Sequence, residues 1–97
     1  MGVLRKSYRD SLLERLQDPA EAAAYLDAAL EEEDSRVFLL ALRDVAEARG
    51  IGRVATEADL NRESLYRMLS EEGNPRLSSL EALLHAFGLR LAVEVRD

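Results

Sequence analysis

The sequence predicts a mainly α-helical domain of five or six helices that closes on a single β-strand. Three observations lead there. Apolar residues recur at helical spacing through most of the chain, and residues that start or stop helices punctuate them. One 20-residue segment, 51–70, has the burial pattern of two short helices crossing at a turn. The last residues then switch to a period of two.

Residues 1–17 read as an N-terminal extension with one short helix, Ser7 to Leu16, whose Tyr8, Leu12, Leu13 and Leu16 share a side. The main domain, 18–97, opens on Asp18-Pro19, an N-cap followed by proline at the first helical position, where its missing N–H costs nothing. The stretch AEAAAYLDAALEEE that follows is rich in strong helix formers. Its Ala22, Tyr25, Leu26, Ala29 and Leu30 form one apolar face. The acidic cluster Glu31, Glu32, Glu33 and Asp34 lies at the negative end of that helix, so local helix stability does not account for it. Ser35 caps the next helix, Arg36 to Arg49, with Val37, Leu40, Ala41, Val45 and Ala48 at core spacing. Phe38, Leu39 and Leu42 widen the apolar arc, which makes this helix central. Gly50 ends it.

Two short helices follow, near Arg53–Ala58 and Arg62–Ser70, and then a polar loop from Gly73 to Arg76. Ser78-x-x-Glu81 reads as a capping box for a helix through Phe87, and Gly88 stops it. In the tail, Leu89, Leu91, Val93 and Val95 alternate with Arg90, Ala92, Glu94 and Arg96, the pattern of a strand over 89–95. A lone strand leaves its ladder groups unpaired. The expected partner is the same strand of a second protomer, giving a homodimer; the alternative is the sheet of a partner protein.

Composition narrows the function. The chain has 97 residues, 47% of them apolar and 33% charged, too apolar for a disordered chain. No run approaches the roughly 18 apolar residues of a membrane span, and the start MGVLRKSYRD lacks a secretory leader's apolar stretch, so a cytoplasmic protein with no membrane role is expected. Without cysteine there is neither a disulfide framework nor a thiolate metal site. His85, the one histidine, reads as structural. No nucleophile–base pair, metal-ligand spacing or glycine-rich phosphate loop is visible, so neither an enzyme nor a cofactor is expected.

The net charge of −6 argues against a whole-surface grip on nucleic acid. The sign varies along the chain, however. Glu21 to Asp34 holds six acidic residues and no basic one, whereas Asn61 to Ser70 holds two arginines against one glutamate. An acidic body carrying a small basic face fits this pattern.

The segment IGRVATEADLNRESLYRMLS, 51–70, fits a helix-turn-helix. Val54, Ala58, Leu60, Leu65 and Met68 fall where two crossing helices bury side chains, and Ala55 allows close approach. Asn61 caps the second helix, leaving Arg62, Glu63, Tyr66 and Arg67 on or near its exposed side. Arginine, asparagine and glutamate in that position suit the reading of base edges in a major groove. Ser64, Asn74 and Arg76 are candidates for phosphate contact. The turn holds Asp59, which tolerates the left-handed backbone better than most residues, and Gly52 stands as the cap of the first helix. A helical hairpin with no ligand would show the same periodicity.

The runs AAYLDAALEEED and LRDVAEARGIGRVATEADLNRESLYRMLSEEGNPRLSSLEALLHAFGLRLAVEV closely resemble the addiction-module antidote family. These are small bacterial antitoxins with a lambda-repressor-like helix-turn-helix. The resemblance spans about residues 18 to 95, and NRESLYRMLSEEGNPRLSSL with the downstream GLRL is its most specific part. It implies a cytoplasmic antitoxin of a type II toxin–antitoxin module, which represses its own operon and binds a RelE-like, mRNA-cleaving toxin. The family's recognition helix falls on Asn61–Ser70 and the loop after it on Glu71–Arg76. Where this chain has Gly52, Arg53 and Asp59, the family typically has Ser, Gln and Gly, which leaves Arg53 to take the phosphate contact at the start of the first motif helix.

Two further expectations follow. A toxin that acts on RNA is basic, which makes Glu31, Glu32, Glu33 and Asp34 candidate toxin contacts. A two-fold antitoxin reads a palindromic operator with half-sites about 34 Å apart, or a multiple of that. Two other functions fit the same residues: a stand-alone, prophage-type transcription regulator, or a protein-interaction module that has lost DNA binding.

Overall fold

The computed structural model describes residues 7–97; Met1 to Lys6, part of the predicted extension, lie outside the described residues. Six helices follow in order: α1 (Tyr8–Arg15), α2 (Pro19–Glu31), α3 (Ser35–Arg49), α4 (Ile51–Glu57), α5 (Arg62–Met68) and α6 (Leu77–Ala86). Among the described residues none is long and apolar enough to cross a membrane.

Side-chain caps set the first helices. Ser7 accepts a hydrogen bond from the Asp10 N–H, and Asp18 accepts one from Ala20 with Pro19 in the first turn. The α3 cap is Asp34, not Ser35: its carboxylate accepts from the Arg36 N–H at 2.9 Å. Both residue types cap well, and the ionised carboxylate is the stronger acceptor. Gly50, not Gly52, precedes α4, which begins two residues before the predicted start. The Ser78–Glu81 capping box does not form, because α6 already starts at Leu77 and has no side-chain cap.

Two helices end in the same hydrogen-bonded turn. After α6, Gly88 (φ +79°) donates to the His85 carbonyl at 2.9 Å, and Leu89 donates to Leu84 at 2.8 Å. After α4, Asp59 (φ +57°) donates to Thr56 at 3.2 Å, and Leu60 donates to Ala55 at 2.8 Å. Both are Schellman closures around a left-handed residue. The turn between α4 and α5 is therefore closed by backbone geometry, with an aspartate doing what glycine does more cheaply.

α3 packs against α1, α2 and α4, and α4 packs against α5 and α6, so α3 and α4 join the two ends of the molecule. One core runs through both, from Leu12 and Leu16 through Leu26, Leu42, Val45 and Val54 to Leu65, Leu83 and Phe87. The face that α3 buries differs from the predicted one. Leu39, Leu42 and Ala46 are buried with Ala41 and Val45, while Val37 and Leu40 are exposed. The run VFLLAL is apolar on every side, so its periodicity cannot say which side meets the neighbours.

The predicted strand over 89–95 is absent from this chain. Leu89 packs against the core, but Leu91 is half-exposed and Val93 and Val95 are almost wholly exposed. No other described segment is a strand, so the ladder hydrogen bonds of the tail have no partner within the chain. One contact brings the tail back to the body: Arg96 lies 3.3 Å from Glu33, at the end of α2.

Candidate nucleic-acid interface

The residues singled out in 51–76 fall into two groups. The first surrounds the start of α5. Asn61 is exposed, and its side-chain oxygen accepts from the Ser64 N–H at 2.7 Å, which fixes the first turn of α5 and leaves the Asn61 amide N–H groups outward. Arg62 follows, fully in the open on one side and resting against α4 on the other. A Cβ at position 52 would lie 2.6 Å from the Arg62 Nη2, so glycine at 52 leaves the space that the guanidinium occupies. Glu63 is exposed in the same turn.

The second group lines a shallow groove of about 440 Å³ between α5 and the loop before α6. Ser64, Arg67, Asn74 and Arg76 all border it. Four residues separated by up to twelve positions thus converge, where sequence alone places them only on a helix and a loop. Arg62, Arg67 and Arg76 make no ion pair among the described residues. Arg53 is exposed on α4 but is held at 2.8 Å by Glu57 one turn later. Its charge is partly spoken for.

Tyr66 is only partly available. It is 40% exposed, and the Arg43 guanidinium of α3 lies 5.2 Å from its ring centre, a cation–π contact. Arg43 was not among the sequence candidates, since nothing local in α3 relates it to a ring 23 residues away. It opens a chain of contacts into the other half of the molecule. Arg43 donates to Glu47 at 3.2 Å, Glu47 also accepts from Arg9 of α1, and Arg9 reaches Asp44 at 3.2 Å. Asp44, 5% exposed, accepts from the Tyr25 hydroxyl of α2 at 2.6 Å.

This network shifts the groups in it. Burial, then the hydrogen bond to the Asp44 carboxylate, pushes the Tyr25 phenol up to about 12. Burial also pushes the Glu47 carboxyl up, but the hydrogen bonds from Arg9 and Arg43 outweigh it and leave its pKa below the ordinary value. Hydrogen bonds to Glu47 and Asp44 raise the pKa of Arg9.

The acidic cluster follows α2, and its last residue, Asp34, lines a pocket with Leu69, Ser70 and Glu71 at the end of α5. Asp34 caps α3 and pairs with Arg36 at 3.1 Å, which holds its carboxyl below the usual range. Glu33 sits in the left-handed region (φ +56°) and meets Arg96, so two of the four acidic residues have structural roles. Glu31 and Glu32 are exposed. His85 is exposed near the end of α6, and among the described residues no group of acidic or histidine side chains is placed to hold a metal.

A small helical domain with exposed, unpaired arginines on one short helix and the loop after it is the class these features define. The model of the family described as probable addiction module antidote protein matches residues 8–95, reaching back through α1, and the chain belongs to that family. A protein of Haemophilus influenzae described as uncharacterized is similar: it is 35% identical over 81 residues, covering 84% of each chain. No solved structure matches the chain.

Proposed function

We propose that this protein is the antitoxin of a type II toxin–antitoxin module and that α4 and α5 act as a DNA-reading helix-turn-helix of lambda-repressor type. It works as a binding protein in the cytoplasm, not as an enzyme. In this reading α5 enters the major groove of the operator, with Arg62 and Asn61 at its leading end. Arg67, Ser64, Asn74 and Arg76 follow the phosphate backbone along the groove they line, and Arg53 adds a contact from α4. The protein acts as a homodimer on a palindromic site, represses its own operon, and neutralises a RelE-like toxin by direct binding. The acidic residues Glu31, Glu32, Glu33 and Asp34 face that basic partner.

One observation carries the DNA reading. In a chain with net charge −6, Arg62, Arg67 and Arg76 gather on α5 and the loop after it, exposed and without an ion pair among the described residues, while Arg9, Arg36, Arg43 and Arg53 are each matched to a carboxylate; Arg15 and Arg90, also unmatched, stand singly on α1 and the tail. Membership in the antidote family supports the antitoxin role.

The test is fluorescence anisotropy on DNA from the region upstream of the protein's own gene, across a salt series, with a scrambled duplex as control. The expected result is salt-sensitive binding that prefers the native duplex. Equal or absent binding to both would remove the DNA role and leave α4 and α5 as scaffold.

A further inference from the structure

Over residues 89–95 the sequence alternates between two sets of side chains. Leu89, Leu91, Val93 and Val95 form one; Arg90, Ala92 and Glu94 form the other. Leu89 and Leu91 border a groove of about 880 Å³ together with Leu26, Leu30, Phe38 and Leu84; Asp27, His85, Arg90, Ala92 and Glu94 line it too. Val93 and Val95 remain in solvent, at 99% and 94% exposure, beside a backbone that no other described segment pairs with. Exposed β-branched residues on an unpaired edge call for a cover.

We propose that the cover is the tail of a second copy, paired antiparallel in the register that places Ala92 opposite Ala92 on the two-fold axis. The proposal rests on the homodimer reading above and adds to it the register and the residues that select it. Charge chooses this register. With Ala92 on the axis, Arg90 of each copy stands opposite Glu94 of the other, twice in the dimer. Leu89 then meets Val95, and Leu91 meets Val93, so the partner's two exposed valines continue the apolar lining that Leu89 and Leu91 begin. Arg96 falls opposite Gly88 and stays free to keep its contact with Glu33 of its own chain.

The competing arrangements fail on the same residues. A slip by one residue sets every apolar side chain opposite a charged or small one. A two-residue slip that puts Val93 on the axis brings Arg90 opposite Arg96, and the opposite slip, with Leu91 on the axis, leaves Arg90 facing alanine. A parallel pair in register lines up Arg90 with Arg90 and Glu94 with Glu94. Like charges directly opposite are destabilising. Only the Ala92-centred antiparallel register gives both charge pairs and an unbroken apolar face.

The test is dimer affinity of the full chain, measured by sedimentation equilibrium over a dilution series, for four proteins and one mixture. Arg90→Glu and Glu94→Arg each replace two attractive pairs with two repulsive ones, and each is expected to weaken the dimer about tenfold. The double variant Arg90→Glu/Glu94→Arg is expected to recover wild-type affinity. An equimolar mixture of the two single variants is expected to form a mixed dimer tighter than either alone. Single variants that dimerise like wild type, or a double variant that fails to recover while its circular dichroism stays native, would overturn the register. A wild-type chain that stays monomeric throughout would overturn the homodimer reading as well.

Discussion

Between α1 and residues 43–47 of α3, arginines are matched to carboxylates: Arg9 lies against Asp44 and Glu47, and Arg43 bridges Glu47 and the face of Tyr66. Around α5 they are not, and Arg62, Arg67 and Arg76 are exposed with no ion pair among the described residues. Both regions are helical, both contribute arginines, and in composition they look alike. The difference is what each arginine has already been given to do. An ion pair at a partly buried site fixes the packing of helices, whereas an exposed, unmatched guanidinium keeps its five donors for a ligand. Net charge averages over the two cases, which is why −6 for the whole chain says little about the α5 face.

The largest expected effect tests the matched region. Asp44→Ala leaves the Tyr25 hydroxyl without its acceptor and Arg9 with one partner fewer, and is expected to cost the fold about 2–3 kcal/mol in urea denaturation. A cost near zero would mean that the network decorates the helices without fixing them. The opposite signature belongs to α5. Arg62→Ala is expected to weaken operator binding by about 1–3 kcal/mol in anisotropy while the urea midpoint stays put. If the same substitution lowered stability and left binding intact, the two regions would have to exchange roles.

A smaller effect separates geometry from charge. Asp59 holds φ +57° at the turn into α5, so Asp59→Gly is expected to stabilise the chain by about 1 kcal/mol, read as a rise in Tm. Glu33→Gly, at φ +56°, should act in the same direction. Loss of stability on Asp59→Gly would show that the side chain, not the backbone, sustains the turn.

The pH dependence is the mildest probe, and it again belongs to α1–α3. The Glu47 carboxyl holds its proton less tightly in the folded chain than in the unfolded one, so its contribution is present above the ordinary carboxyl range and fades as pH falls through its depressed pKa. Tyr25 runs the other way. With its pKa raised from 10.0 to about 12, its contribution is complete below pH 10 and is lost as pH climbs towards 12. Urea midpoints should therefore hold through the neutral range and fall at both ends. Tyr25→Phe is expected to blunt only the alkaline fall.

What the sequence made legible was local. Ser7, Asp18-Pro19, Asn61 and Gly88 act through hydrogen bonds within a turn or two, and each sits where its spacing placed it. Choices between neighbours were not legible, because Asp34 and Ser35 are both good caps by rule; the carboxylate of Asp34 takes the Arg36 N–H and starts the helix one residue earlier. Nor were long-range pairings. Tyr25 and Asp44 stand 19 positions apart, Arg9 and Asp44 35, and no periodicity connects them. The groove that gathers Ser64, Arg67, Asn74 and Arg76 is of the same kind: each residue was visible, their meeting was not. The tail went astray for a different reason. Its alternation describes a strand, but a strand is a property of two segments, and the described residues supply one.

The empty space at Gly52 extends the influence of α4 beyond its own surface. Arg62 reaches outward from a resting place that exists because residue 52 has no side chain. Serine, which the family typically has there, would need that place, and the guanidinium is the flexible partner that would yield. Position 52 thus steers the Arg62 side chain from a neighbouring helix. If α5 reads DNA as proposed, a side chain at position 52 would be expected to change operator preference with the α5 sequence unchanged.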